Sequence, residues 1–324
     1  MRSVPALFTS GLHLVALFVN GLLIWLSLNR SPPTIGHYKY MICTSACVNI
    51  LYSIVHELVG LRYSVSNGIL ELIYTGYVPF SKNIAQWLLF LYMELFLLVQ
   101  VVTSLHFYFR YATVCRPAWL KSWRMNACPV LFGVVTLVSS IKCVFDHMIS
   151  GNDPRLVSYR FQLSVLDHME SRTTIALKVF DETTQQWLVN WSTLPAVGLL
   201  CALLVTSMSF CLLGSILIIR KIRALPGNSA AKKMQWQLLK FQFAVPFLMF
   251  NVCVVGIVMG TSFLNGGMPQ WTLTLIEHCD TILPIADPLF FILFVTSYRN
   301  ALRQIIRVKK ESTVNTTIIT TSMF

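Results

Sequence analysis

Glu277, Asp280, Pro284 and Asp287 recur at intervals of three, four and three residues and so line one face of a helix. Three carboxyl groups on one face suit binding of a ligand or cation, or transfer of an ion. Close together in a low dielectric they cannot all ionise cheaply, so at least one is expected to be protonated or paired with a cation. The residues around them are apolar from Trp271 to Thr296. Ionisable groups inside hydrocarbon cost several kcal/mol unless they are paired or face a wet interior, which makes each a functional candidate. The competing reading has Glu277 and Asp280 simply reaching the membrane interface. His56 with Glu57, and Glu94, interrupt two other apolar runs. With Glu277 and Asp280 they form the candidate ligand-binding set, ringing a cavity between helices.

Other chemistries find no footing. No Ser–His pair, His-Glu-x-x-His run or aspartate dyad stands at catalytic spacing, so no enzyme and no cofactor are expected. Cys43 and Cys47 lie four apart without a nearby third ligand, so no metal site is expected. Lys142 and Asp146 neutralise each other at the same spacing. The segment from Trp271 to Thr296 contains no lysine, which excludes a retinal Schiff base there.

The elements that must hold these residues follow from composition. The chain has 324 residues, 55% hydrophobic and 12% charged, with a mean hydropathy of +0.65. Soluble domains carry about 25% charged residues. A membrane span needs about 20 apolar residues, and seven segments qualify: Val4–Leu28, Tyr40–Leu61, Ile84–Tyr108, Ala127–Ile149, Trp191–Ile219, Phe241–Leu264 and Trp271–Thr296. The tryptophans fall at or near the ends of these segments, where an indole prefers to sit. The expected fold is an all-α membrane protein, a seven-transmembrane helix bundle in a multi-pass topology. The first run is too long for the core of a signal peptide.

The net charge is +12. Most of the 25 basic residues lie in the loops that are internal if the N-terminus is outside. The bias therefore places the C-terminus in the cytoplasm, and the basic surface suits anionic membrane lipids rather than nucleic acid. Residues 1–298 form the expected seven-transmembrane domain, and 299–324 a segment in which Arg299, Arg303 and Arg307 repeat every four residues, as in an amphipathic inner-leaflet helix, before a Ser/Thr-rich tail. The extracellular loop 150–190 alternates apolar and polar residues over Val157–Val165 and again over Thr173–Val179, the pattern of two strands. We expect a β-hairpin lid there. Pro246 interrupts the sixth segment, and Pro284 with Pro288 the seventh, freeing backbone carbonyls and permitting bends. At the inner end of the third segment, which reads His106 to Tyr111, Arg110 is expected at the inner surface, meeting a partner's carbonyls or a neighbouring helix, or merely anchoring the helix.

Several of these stretches together resemble the nematode seven-transmembrane chemosensory receptors of the Str superfamily, of the class r and class j type. The resemblance is carried by Asn20-Gly21-Leu22-Leu23, Ser31 through Tyr40, His106 through Tyr111, Gln242 through Pro246, Asp287 through Ile292, and Tyr298-Arg299. It implies a G-protein-coupled receptor for environmental chemicals in the plasma membrane of sensory cilia. Its partners would be a small-molecule ligand and a heterotrimeric G protein. Carried over by motif position, Arg110 and Tyr111 are similar to the element that engages the G protein. Asp287 and Pro288 match the switch position of helix seven, while Tyr298 and Arg299 open the surface helix. Pro246 belongs to the same coupling and switch set. Two features depart from the rhodopsin-like pattern. Phe109 stands where an acid would precede the arginine. The usual outer disulfide also lacks its cysteines, unless Cys143 or Cys279 forms another bridge.

A ligand-gated channel or ion-coupled transporter using the carboxylates of the seventh segment is the alternative reading. No internal repeat or pair of broken helices supports it. The tail from Ser312 to Phe324 is rich in hydroxyls and could take phosphates that recruit a kinase/arrestin-type partner.

Overall fold

The computed structural model describes residues 4–31, 35, 38–66, 69–75, 78, 80–116, 118–119, 133–134, 138, 172–176, 178–181, 186–189, 194–224 and 270–304. Five long helices are described: α1 Val4–Asn29, α2 Tyr38–Val59, α3 Lys82–Cys115, α4 Leu194–Ala224 and α5 Gln270–Phe294. They correspond to the first, second, third, fifth and seventh predicted segments. The fourth segment is described only at Gly133, Val134 and Val138, and the sixth, with Pro246, lies outside the described residues. A short helix, α6 (Thr296–Gln304), leaves the end of α5 at 86°.

Phe8–Asn29, Tyr38–Val59 and Trp87–Cys115 are long and apolar enough to cross a membrane, and the α5–α6 pair passes the same test. At 1.5 Å per residue, the 34 residues of α3 reach about 51 Å, more than a hydrocarbon core of about 30 Å requires. The helices are turned inside out relative to those of a water-soluble protein. α1 exposes Leu14, Phe18, Trp25 and Leu28 and buries His13, Asn20 and Ser27. α4 likewise exposes Val205, Leu212, Leu213 and Ile216 while burying Ser215. Large apolar side chains facing outward with polar ones inward are what a lipid surround requires.

α2 packs between α1 and α3, α5 packs against α1 and α2, and α4 packs against α3. Among the described residues, Ile218 and Ile222 of α4 form a small apolar cluster with α3, and two larger ones lie elsewhere in the bundle. One joins α2 to α3 near the end of the bundle that carries the chain's N-terminus, through Val48, Val55, Leu89, Leu95 and Leu283. The other joins α1, α2, α5 and α6 at the opposite end, through Leu23, Leu26, Ile42, Phe291 and Tyr298.

α2 stops at Gly60, whose φ of 54° is a left-handed conformation that glycine adopts without steric cost. Its N–H donates to the His56 carbonyl at 2.9 Å, and the Thr75 N–H donates to the Val59 carbonyl at 3.2 Å. The Thr75 hydroxyl donates to the Gly60 carbonyl. These bonds fasten a small sheet to the helix end. β1 (Arg62–Ser66) and β2 (Ile69–Ile73) pair antiparallel, and β2 pairs antiparallel with β3 (Arg172–Ala176). β4 (Lys178–Asp181) and β5 (Gln186–Val189) form a separate antiparallel pair.

The long loop therefore contains strands, and only the second half of the expected hairpin falls among the described residues. The alternation at Thr173–Val179 falls on β3 and β4, and the partner of β3 among the described residues is β2, in the loop between α2 and α3. The alternation at Val157–Val165 lies outside the described residues. Ser66 pairs with Ile69 across Asn67-Gly68, the dipeptide a two-residue hairpin loop favours. That local signal makes β1–β2 a ready template for a third strand.

Candidate functional site

The inward faces of four helices bring polar side chains together in a column that runs the length of the bundle. On α1 the inward residues are His13, Asn20 and Ser27, seven apart. On α2 they are Ser45, Asn49, Tyr52 and His56, at intervals of four, three and four. α3 supplies Tyr92, His106 and Arg110, and α5 supplies Asp280 and Asp287.

At the amino-terminal end the column is aromatic and titratable. The Tyr92 hydroxyl donates to Asp280 Oδ2 at 3.3 Å and lies 3.1 Å from the Tyr52 hydroxyl. A phenol has a single proton, so with Tyr92 donating to the carboxylate, Tyr52 donates to Tyr92. His56 packs against both tyrosines, with ring centroids 5.7 Å from Tyr52 and 5.2 Å from Tyr92, and against His13 at 4.7 Å. All five of these residues are buried or nearly so: Asp280 is 4% exposed and Tyr92 1%. Glu57 is half-buried and accepts a 2.6 Å hydrogen bond from the Ser10 hydroxyl of α1.

Of the sequence-predicted ligand residues, His56 and Asp280 thus join one cluster across α2, α3 and α5. Glu57 takes part in a separate α1–α2 contact. Glu94 and Glu277 are half-buried, and the Glu277 carbonyl accepts the Thr281 hydroxyl at 2.8 Å. Asp280 is buried among the described helices rather than exposed on the bundle's surface. Sequence reasoning missed His13, Tyr52 and Tyr92. For Tyr52 the three- and four-residue spacing to Asn49 and His56, and for His13 the seven-residue spacing to Asn20, were the available signals; Tyr92 had none.

Midway along the column the prolines of α5 take effect. Pro288 has no N–H, so the carbonyl four residues earlier, that of Pro284, loses its helical donor. Asn20 Nδ2 supplies one from α1 at 2.8 Å and also reaches the Ala16 carbonyl at 2.8 Å. One turn farther on, Asp287 Oδ2 accepts from Ser45 Oγ at 3.0 Å and from Asn49 Nδ2 at 3.1 Å, both on α2. The carboxylate stripe of α5 is therefore divided among neighbours: Asp280 is bound by α3, the Pro284 carbonyl by α1 and Asp287 by α2.

At the carboxy-terminal end the Tyr38 hydroxyl meets His106 Nδ1 at 2.9 Å, with the rings edge to face at 5.5 Å. Phe291 of α5 lies 5.9 Å from the His106 ring. Arg110, one turn beyond His106, is 3% exposed and lies within electrostatic reach of Tyr38. Of the contacts expected for this arginine, the described geometry is that with a neighbouring helix. With Phe109 in place of an acid, no carboxylate next to it in sequence holds the guanidinium, and Arg110 turns inward beside Tyr38 and His106. Tyr111 is half-buried and packs against Ile218 and Ile222 of α4. Tyr298 of α6 is fully buried, its hydroxyl 3.3 Å from Ser27 Oγ and 2.7 Å from Ser31 Oγ. Arg299 and Arg303 on α6 are exposed.

Among the described residues, no group of three or more His, Cys, Asp or Glu side chains is placed to hold a metal ion. Cys279 is a free thiol, and Cys143 lies outside the described residues.

Comparison with known proteins agrees with the motif resemblance. The sequence pattern of the serpentine type 7TM GPCR chemoreceptor Str family matches residues 6–303. The G-protein coupled receptor str-33 of Caenorhabditis elegans is 24% identical over 315 residues, covering 90% of this chain and 88% of that protein. The chain belongs to the serpentine 7TM chemoreceptor Str family, which is a family of membrane receptors and not of enzymes.

Proposed function

We propose that the protein is a chemosensory receptor of the plasma membrane, in the cilia of sensory neurons, that passes the binding of a small organic molecule to a heterotrimeric G protein. The N-terminus and the β-sheet face outward, and α6 lies along the inner leaflet among anionic lipids. The ligand enters beside the sheet and contacts the cluster built around His56 and Asp280, with Glu57, Glu94 and Glu277 toward its rim. It binds better to a conformation in which the carboxy-terminal ends of the helices have moved, and so shifts the population toward it.

The observation that carries this reading is the polar column itself. Tyr92, Asp280, Asn20, the Pro284 carbonyl, Asp287, Ser45 and Asn49 tie α1, α2 and α3 to one proline-interrupted helix. Both ends of α5 are then coupled to buried groups, one set near the ligand and the other near Arg110. Movement of α5 and α6 loosens the surroundings of Tyr38 and His106 and lets Arg110 and Tyr111 reach the G protein. Asp287, Pro288 and Pro246 supply the bending points, and Tyr298 and Arg299 the hinge to the surface helix. The hydroxyl-rich tail takes phosphates that recruit a kinase/arrestin-type partner.

Arg110→Ala tests the coupling role. We expect G-protein activation to be abolished with delivery to the cell surface intact. Full signalling from the variant would remove Arg110 from that role.

A further inference from the structure

His13 of α1 and His56 of α2 lie ring against ring, with centroids 4.7 Å apart and planes at 68°. They are 3% and 5% exposed. Among the described residues, neither ring nitrogen of His13 has a hydrogen-bond partner, nor does Nδ1 of His56. Beside them Tyr52, Tyr92 and Asp280 complete one another's hydrogen bonds. Buried polar atoms nearly always find a partner, and leaving them without one destabilises the fold. Among the described residues, three such nitrogens on two touching rings of neighbouring helices concentrate unmet hydrogen-bonding capacity in one place.

We infer that the His13–His56 pair is the polar anchor of the ligand site and that it takes a neutral small molecule bearing a hydroxyl group, an alcohol. This rests on the reading of the amino-terminal cluster as the ligand site. A neutral imidazole has one N–H donor and one lone-pair acceptor. His13 offers both, whichever tautomer it takes. A single hydroxyl group can bridge the two rings, donating to a lone pair on one and accepting from an N–H on the other. An ammonium group only donates, while a carbonyl or an ionised carboxylate only accepts, so each leaves part of the pair unmet. Two imidazolium charges at this separation in a low dielectric would repel strongly, and burying even one is costly, which favours neutral rings. The apolar cluster that contains Tyr52 and Tyr92 also contains Val55, Val59, Leu89 and Leu283, a wall suited to the alcohol's hydrocarbon body.

The test measures binding alone. Purified receptor in lipid nanodiscs is unfolded by heat in the presence of unbranched alcohols, amines, carboxylates and aldehydes of matched length, from four to ten carbons. At some chain length the alcohol should raise the unfolding temperature above its three counterparts. His13→Phe keeps the ring but removes the orphaned nitrogens. It should fold at least as well without ligand and bind the alcohol about tenfold more weakly, the loss of one hydrogen bond. His56→Phe provides the same comparison from the other ring. Equal stabilisation by the amine or the carboxylate at every length overturns the inference, and so does an undiminished alcohol effect in both variants. No G protein takes part in this measurement. G-protein activation by some other compound would therefore leave the receptor reading standing while the alcohol assignment falls.

Discussion

The bond from Asn20 to the Pro284 carbonyl exists because residue 288 is proline, and that dependence can be measured. Pro288 deprives the Pro284 carbonyl of its helical donor, and Asn20 Nδ2 replaces it from α1 at 2.8 Å. Asn20→Ala strands a fully buried carbonyl, at a cost of about 1–3 kcal/mol by the usual penalty for an unmet acceptor. Interhelical hydrogen bonds in membranes reach only about 1.7 kcal/mol, so a loss of about 1–2 kcal/mol is expected. Replacing Pro288 by Ala restores an N–H at the helical position and makes the asparagine redundant for that carbonyl. The contact with Ala16 is lost equally in both backgrounds and cancels. A double-mutant cycle in dodecyl maltoside micelles unfolded with sodium dodecyl sulfate should therefore give a coupling of about 1 kcal/mol between the two positions. If Asn20→Ala costs the same with and without Pro288, the account of how α1 holds the bend of α5 is wrong.

Two further outcomes follow from the same column. Tyr38→Phe removes the hydroxyl that meets His106; a bias of about 1 kcal/mol should raise ligand-independent G-protein activation about fivefold at unchanged surface level, read by nucleotide exchange in membranes. Asp280→Asn and Tyr92→Phe should each raise the half-maximal ligand concentration in a cell-based signalling assay, whereas Glu277→Gln, half-buried and outside the cluster, should move it far less.

The helices were legible in the sequence because hydrocarbon imposes one strong rule, an apolar run of fixed length, and the described helices begin or end within a few residues of it except at the extended end of α3. The titratable residues of α5 were legible for the same reason, since a carboxylate is conspicuous in an apolar run. Tyr52, Tyr92 and His13 were not. Aromatic residues are ordinary in membrane helices, and only the pairing of faces reveals that two phenols lead to Asp280. The Asn20 contact was half-written in the chain: Pro288 announces an orphaned carbonyl at Pro284, but nothing local says which helix will meet it. For Arg110 the sequence left a partner and a neighbouring helix both open, because Tyr38, which lies beside it, is remote in sequence. The β1–β2 hairpin carried a plain Asn-Gly signal that length alone disguised as loop. Its pairing with β3 joins segments about a hundred residues apart, which no local pattern predicts.

The most direct test of the central claim is reconstitution of the purified receptor with a heterotrimeric G protein in lipid vesicles, exposed to small organic compounds while GTP uptake and membrane current are followed together. The account predicts compound-dependent exchange of GDP for GTP with no accompanying current. A compound-evoked current in vesicles lacking G protein, with no nucleotide exchange when G protein is present, would contradict it.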